Sequence, residues 1–468
     1  MEIERRMKKT VLFVSAVGAF LTPFMASAVN VALPRIGKEF ALNAVTLSWF
    51  AIAYILASAA FLLPFGKIAD LYGRKKVYSI GTLVYSSASL LVCVSPNVPT
   101  FLAFRVIQGA GAAMIFGTGV AMLTSVYPPE ERGKALGINV SAVYLGLSLG
   151  PLVGGLLTVH FGWRSIFIVS AAMGAFVWGL LAWKVRAEWK ENHGESMDWT
   201  GCGIYIVSLS VMMIGFSKLP SAAGAACSIA GALGIAGFIL WESKIPHPVL
   251  NVSLLRRNRV FAFSNLAALI NYSATSAVSF LLSLYLQYVK ALSPREAGLV
   301  LVAQPLVMAL LSPAMGRLSD RVESRILAST GMGFCSAGLL LLFRVGEKTG
   351  LPWIVFCLLV LGFGFALFSS PNTNAVMGAV ERRYYGVASA TLGTMRLVGQ
   401  MLSMGFAVLL FALFMGNASV TPDNHPAFIA SVKTAFMVFA VLCGAGIFAS
   451  LARGGKKLPT ALAHDLRQ

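Results

Sequence analysis

Long apolar runs separated by short polar connectors recur from one end of the chain to the other. A helix rises 1.5 Å per residue, so roughly 20 predominantly apolar residues cross a bilayer. The pattern predicts fourteen spanning helices, at 11–33, 48–67, 77–95, 99–124, 133–158, 164–184, 200–218, 222–242, 260–289, 295–317, 325–344, 351–377, 385–415 and 427–452. An even count puts both termini on one side. The first run is too long for the apolar core of a cleavable signal, so it reads as a retained helix.

Composition agrees. Of the 468 residues, 57% are hydrophobic and 12% charged, and the mean hydropathy is +0.78. A soluble domain carries about 25% charged residues. The net charge of +19 would suit a nucleic-acid partner only if it were clustered. It is instead sorted by side. The segments on the N-terminal side carry 26 of the 37 Lys and Arg, the opposite segments nine, and two, Arg105 and Arg396, fall inside spans. The positive-inside rule places both termini in the cytoplasm of a multi-pass protein of the cell (inner or plasma) membrane. The six cysteines all lie in apolar runs with no CxxC pair, and predict no disulfide or zinc framework.

The chain also repeats itself. "GKIAD" at 66–70 recurs as "GRLSD" at 316–320, "GAG" at 109–111 as "GFG" at 362–364, and "ERGKA" at 131–135 faces "RYYGVA" at 383–388. These offsets make spans 1–6 and 9–14 equivalent bundles, with a site expected at their interface. The expected organisation is an N-terminal six-helix bundle over 1–184 and an inserted helix pair over 185–245. An interfacial linker helix over 246–259, a C-terminal bundle over 260–452 and a basic cytoplasmic tail over 453–468 complete it.

The stretch "GKIADLYGRKK", residues 66–76, concentrates five charges between two apolar runs. Gly66 and Gly73 permit close backbone approach and a tight turn. Asp70 stands at a helix end, where it can pair with an arginine such as Arg74 or accept from a neighbouring helix N-terminus. A solvated loop that only sets topology would not need the Gly–Asp–Gly frame. In "GLSLGPLVGG", Gly146, Gly150 and Gly154 recur once per turn, which lets helices pack closely, and Pro151 favours a kink.

Together these stretches resemble the major facilitator superfamily, and within it the fourteen-span drug:proton antiporter branch. "GKIADLYGRKK" is similar to the family's loop 2–3 motif, "FRVIQGAGAA" to its fourth-span motif and "GLSLGPLVGG" to the fifth-span motif of exporters. "DWTG", "YLQYVKALSPREAG" and "GVASATLGTMRLVG" resemble the branch. The resemblance implies an all-α polytopic fold of two six-helix bundles plus an inserted two-helix hairpin. It implies no enzyme activity, and a secondary transporter that exports an amphipathic compound, a drug or metabolite, by alternating access. It further implies a gate at Gly66, Asp70, Gly73 and Arg74. The second copy keeps Gly316, Asp320 and Arg321 but has Glu323 where Gly73 stands, so its latch is expected to be looser or absent.

One departure matters. The family's first-span motif carries an Asp before a Thr; here "FMASAVNVALP" places Met25 and Ser27 at those positions. No predicted span interior holds an acid. Proton coupling normally needs such a group, so it does not carry over. Charge in a span faces a cavity or a partner, which makes Arg105 and Arg396 cavity candidates. The neutral candidates are Asn30, Tyr54, Gln108, Tyr144, Asn271, Gln304, Asn372, Asn374 and Gln400. A basic site without acids favours anionic or neutral cargo. The alternatives are an uncoupled uniporter or uptake permease, or a lipid flippase. No cofactor, metal or nucleic acid is expected. The expected partners are an amphipathic small molecule and membrane lipids, with protons a candidate second cargo, and the expected state is a monomer.

Overall fold

The computed structural model describes residues 2–40, 44–190, 195–219, 221–250, 252–292, 294–415 and 425–454. Lys456, Lys457 and His464 of the basic tail, and His193, lie outside the described residues. Seventeen α-helices are described: α1 (Glu2–Glu39), α2 (Ala44–Tyr72), α3 (Arg74–Cys93), α4 (Val98–Val126), α5 (Pro129–Phe161), α6 (Arg164–Lys184), α7 (Trp199–Ser217), α8 (Ala222–Glu242), α9 (Val252–Arg257), α10 (Arg259–Thr275), α11 (Val278–Leu284), α12 (Pro294–Leu301), α13 (Ala303–Arg321), α14 (Ser324–Leu342), α15 (Leu351–Gly378), α16 (Tyr385–Met415) and α17 (His425–Leu451). They form fourteen segments long and apolar enough to cross a membrane. The protein is an all-α, multi-pass membrane protein.

Two expected spans are broken. The ninth runs through α10, α11 and a π-turn over Tyr285–Val289, where Lys290 N–H reaches back to Tyr285 O. The tenth is split between α12 and α13. Pro305 has no N–H for Leu301 O, and α12 ends at Leu301. The linker expected over 246–259 is helical only from Val252 to Arg257, after two prolines, Pro246 and Pro248. Asn258 then caps α10, its Oδ1 accepting from Phe261 N–H at 3.0 Å.

Helices α1–α6 pack among themselves, as do α10–α17, and the two bundles meet where α5 lies against α13 and α2 against α16. The pair α7–α8 packs on itself, with α7 against α2 and α16. Small residues set the closest crossings. A Cβ on Gly146 would stand 2.4 Å from Phe20 O, one on Gly150 2.6 Å from Ser27 Cβ, and one on Gly154 2.7 Å from Ala28 Cβ. The glycine stripe is therefore the groove that receives α1. Within it Pro151 deprives Leu147 O of its helical donor, and Ser27 Oγ donates to that carbonyl at 3.1 Å. The same device recurs between bundles. Pro313 frees Ala309 O, and Ser141 Oγ of α5 donates to it at 2.5 Å.

Candidate transport site and its gates

Helix α2 ends at the turn of the 66–76 stretch. Gly73 has φ +115°, a left-handed conformation that disfavours a side chain, so it reverses the chain into α3. Gly66 serves close approach instead. A Cβ there would lie 2.5 Å from Ala390 Cβ and 2.7 Å from Gly386 O. This contact brings Asp70 over the first turn of α16. Its Oδ1 accepts from Gly386 N–H at 2.8 Å and its Oδ2 from Val387 N–H at 3.0 Å. A carboxylate meets the positive end of a helix there. Arg74 holds the same carboxylate from behind, donating from Nε at 3.0 Å and Nη2 at 2.9 Å. It also donates to Ser125 Oγ at 2.6 Å and to Arg382 O across the bundle boundary. Arg74 and Arg132 both face the Tyr385 ring, at 5.2 and 5.7 Å.

The second copy builds the same contact on the other pair of helices. Asp320, at the end of α13, accepts from Gly133 N–H at 2.7 Å and from Lys134 N–H at 3.1 Å, at the start of α5. Gly316 and Gly133 touch so closely that a Cβ on either would meet the other's carbonyl oxygen at 2.2 Å. The second latch is therefore present rather than absent, although it lacks the arginine that backs the first. The contact needs a carboxylate, a helix start and two facing glycines, not the turn glycine. Ser324 occupies the place of Arg74, Arg321 is exposed, and Glu323 pairs with Arg325 at 2.9 Å. Asn374 Nδ2 adds a bond to Ser319 Oγ at 3.0 Å.

Both latches lie on one face, here termed the latch face. Above them the bundles stay joined through Ser141 and Ala309, and up to the edge contact of Tyr144 with Phe365, centroids 6.2 Å apart. Beyond that level the burial changes. Helix α16 is buried at every residue from Tyr385 to Thr394, then mostly half-buried from Met395. Helix α5 is largely buried from Arg132 to Val140, yet Leu145, Leu147, Leu149, Pro151 and Leu152 are exposed. The contacts described between the bundles run from the latch face to the level of Tyr144 and Phe365.

Between the latches and the aromatic contact lies a narrow chamber of about 10 Å³, the space of about one water. It is lined by Ser15, Ile115, Phe116, Asn139, Val143, Thr373 and Arg396, among others. Arg396 Nη2 donates to Thr373 Oγ1 at 2.7 Å, and its guanidinium faces the Tyr272 ring at 5.6 Å. Its Nε, Asn139 Oδ1 and Ser15 Oγ are buried without hydrogen-bond partners. Arg396 lies ten residues beyond Gly386, about 15 Å by helical rise, which is the middle of a hydrocarbon core of about 30 Å. Tyr144, Phe365 and Tyr272 form an aromatic cluster at the bundle boundary, with Tyr272 and Phe365 centroids 5.4 Å apart.

The sequence profile of the Major Facilitator Superfamily matches residues 15–263 and 264–463. The chain belongs to the major facilitator superfamily. It is 28% identical to the riboflavin transporter RibZ of Clostridioides difficile (strain 630), over 94% of this chain and 96% of that protein. It is 30% identical to the multidrug resistance protein Stp of Mycobacterium tuberculosis (strain CDC 1551 / Oshkosh), over 85% of this chain and 74% of that one. It is 26% identical to the tetracenomycin C resistance and export protein of Streptomyces glaucescens, over 88% and 77%. The human organic anion transporter MFSD10 shares the fold, with a TM-score of 0.66, 16% identity and coverage of 96% and 99%. The chain is a transporter and not an enzyme.

Within this superfamily fold, the expected cavity residues separate into two groups. Arg396 lines the chamber, while Tyr144 is not among its lining residues and packs against Phe365 at the bundle boundary. Arg105 and Gln108 do not reach it. Arg105 is fully buried inside α1–α6, donating from Nε to Phe50 O at 3.0 Å and from Nη1 to Gln108 Oε1 at 2.5 Å, beneath the Tyr54 ring at 4.5 Å. Gln108 Nε2 passes the chain on to Ser89 Oγ at 2.7 Å. This network satisfies a buried cation internally. Asn271 is fully buried against α17, where Cys443 Sγ lies 3.6 Å from its Oδ1. Gln304 is buried on α13, at the crossing where Gly362 of α15 meets its backbone. Asn30 is exposed, fifteen residues or about 22 Å along α1 from Ser15. Met25 is fully buried among apolar residues. Sequence reasoning missed Ser15, Asn139 and Thr373. Their one signal is a small polar residue deep in a span, which many packed helices share.

Proposed function

We propose that this chain exports amphipathic organic compounds, anionic or neutral, by alternating access. The latch face is cytoplasmic, because the Lys and Arg excess lies on that side. The conformation described is then outward-facing, with Asp70 and Asp320 holding the cytoplasmic gate shut. Gly66, Gly73, Arg74 and Gly316 shape that gate, and Gly146, Gly150, Pro151 and Gly154 seat α1 on α5. The observation that carries the substrate class is Arg396: a cation in the chamber with an unpartnered Nε, and no acid among the residues lining that chamber. A cation so placed attracts anions and repels cations. The test is uptake of paired anionic and cationic dyes of similar shape into inverted vesicles. Arg396→Gln should lose the anionic dye first and Arg396→Lys should retain part of it; equal loss of both dyes by Arg396→Gln refutes the assignment.

A second reading is uncoupled transport of a neutral planar compound. The relative named for riboflavin supports it, together with the aromatic cluster of Tyr144, Phe365 and Tyr272. Riboflavin uptake that persists without ion gradients, and is abolished by Tyr144→Ala at normal protein level, would favour it. Dye efflux that collapses with the proton gradient would establish antiport instead.

A further inference from the structure

The helix pair α7–α8 is additional to the two bundles, and its contacts fall on the gate. Tyr205 of α7 donates its hydroxyl to Ala59 O of α2 at 3.1 Å, and the same hydroxyl lies 3.3 Å from Thr394 Oγ1 of α16. One side chain thus spans the seam between the bundles, within the half that the latches close. Around it Leu209 and Met213 of α7 pack with Leu62 and Leu63 of α2 and Val387 and Ala390 of α16. The stretch leading into α7 is bound to the loop 2–3 motif itself. Lys67, whose side chain is 4% exposed, reaches Glu195 Oε2 at 2.6 Å. The Glu188 carboxylate accepts from Lys75 N–H at 2.9 Å and Lys76 N–H at 3.0 Å, capping the start of α3. Arg74, the residue behind Asp70, gives its own N–H to Trp189 O at 3.1 Å.

We propose that α7 and the acidic stretch before it act as a clamp across the α2/α16 seam, and that Tyr205 and Glu195 are positioning residues for the cytoplasmic gate. The physical reason is geometric. If the bundles rock apart at the latch face, α2 and α16 separate, and one hydroxyl cannot remain within 3.3 Å of both. The clamp therefore contributes only to the closed state, and its loss shifts the population toward the open one. This inference rests on the alternating-access reading above.

The test uses the full chain carrying Ser389→Cys, a position on α16 behind the first latch that is 4% exposed. Labelling by an impermeant maleimide is followed in inverted vesicles, against the background of the six native cysteines. Asp70→Asn is the reference for an opened gate. Tyr205→Phe and Glu195→Gln should each raise the labelling rate about tenfold, a change of one decade in the open fraction. The exchanged pair Lys67→Glu with Glu195→Lys should return it to within about twofold of the parent, which general loosening would not do. Where Glu195→Gln lowers yield by stranding the buried ammonium, Tyr205→Phe, which removes only a hydroxyl, carries the test. A rise with Asp70→Asn but none with Tyr205→Phe or Glu195→Gln overturns the clamp and leaves the transport reading standing. No rise in any variant overturns both.

Discussion

Replacing Asp320 with asparagine should open the gate at the latch face without unfolding the protein. The carboxylate accepts a backbone N–H on each oxygen, at 2.7 and 3.1 Å, and its Oδ1 also takes Asn374 Nδ2 at 3.4 Å. An amide can accept only one of them and turns an NH2 group toward the other. Hydrogen bonds to a charged group are worth about 1.5–3 kcal/mol, against about 0.5–1.5 for a neutral pair. The variant thus loses one strong bond and weakens the second, roughly 2.5–4.5 kcal/mol before any rearrangement. The orphaned amide stands at the start of α5 and can turn to its own helix, so about 2 kcal/mol, or about 30-fold, is the expected shift in the open-to-closed ratio. Asp70→Asn should open its latch similarly and cost more. Arg74, fully buried, would lose its carboxylate, and breaking such a pair costs about 3–5 kcal/mol. The assay is maleimide labelling of Ser370→Cys, a fully buried position on α15 whose parent hydroxyl lies 2.7 Å from a Cβ built on Gly316. Thermal stability in detergent is measured alongside. Unchanged labelling in Asp320→Asn at normal yield would refute the view that the second carboxylate holds the gate.

Met25→Asp should not create a cation pathway. It buries a carboxyl among apolar side chains, at several kcal/mol unless it stays protonated, so low yield with no gain in cationic dye transport is expected. A well-folded Met25→Asp that moves cationic dyes would sink this. On the face opposite the latches, Arg164 and then Trp163 donate to Glu39 and hold its carboxyl below the ordinary value of 4.5. A depressed carboxyl stabilises the fold fully above that value, and the contribution is lost as pH falls through the lowered one. Because the ion pair is about two-fifths exposed on each side, the effect is below about 1 kcal/mol. Between pH 6 and pH 3 the melting temperature should fall slightly less in Glu39→Gln than in the parent.

The fourteen spans were legible because lipid demands long uninterrupted apolar helices, and little else in a sequence looks like that. The gate was half legible. Asp70 and Asp320 stand out as acids at span ends, but their partners are backbone amides, which have no letter. The signal for them was the repeated glycine spacing that aligns Gly133 with Gly386. Reading the second copy by its side chains, Glu323 for Gly73, missed a latch made mostly of main chain. Arg105 and Asn271 misled for a related reason. A polar residue in a span looks the same whether it faces water or is satisfied by a carbonyl such as Phe50 O, 55 positions away. The breaks near Pro305 and over Tyr285–Val289 are local adjustments inside runs whose composition stays apolar.

The acid-free interior around Arg396 has an energetic consequence for the direction of transport. A cell that is negative inside does work on any anion that leaves it. Each elementary charge crossing the membrane gains about 2.3 kcal/mol per 100 mV. For a monovalent organic anion this alone sustains an outward concentration ratio of about 50-fold. A carrier that neutralises its cargo with a fixed arginine, and moves no other ion, can therefore expel an acid uphill using voltage. On the proposed reading of an anion exporter, Met25 in place of an acid costs no driving force, because the membrane voltage supplies it.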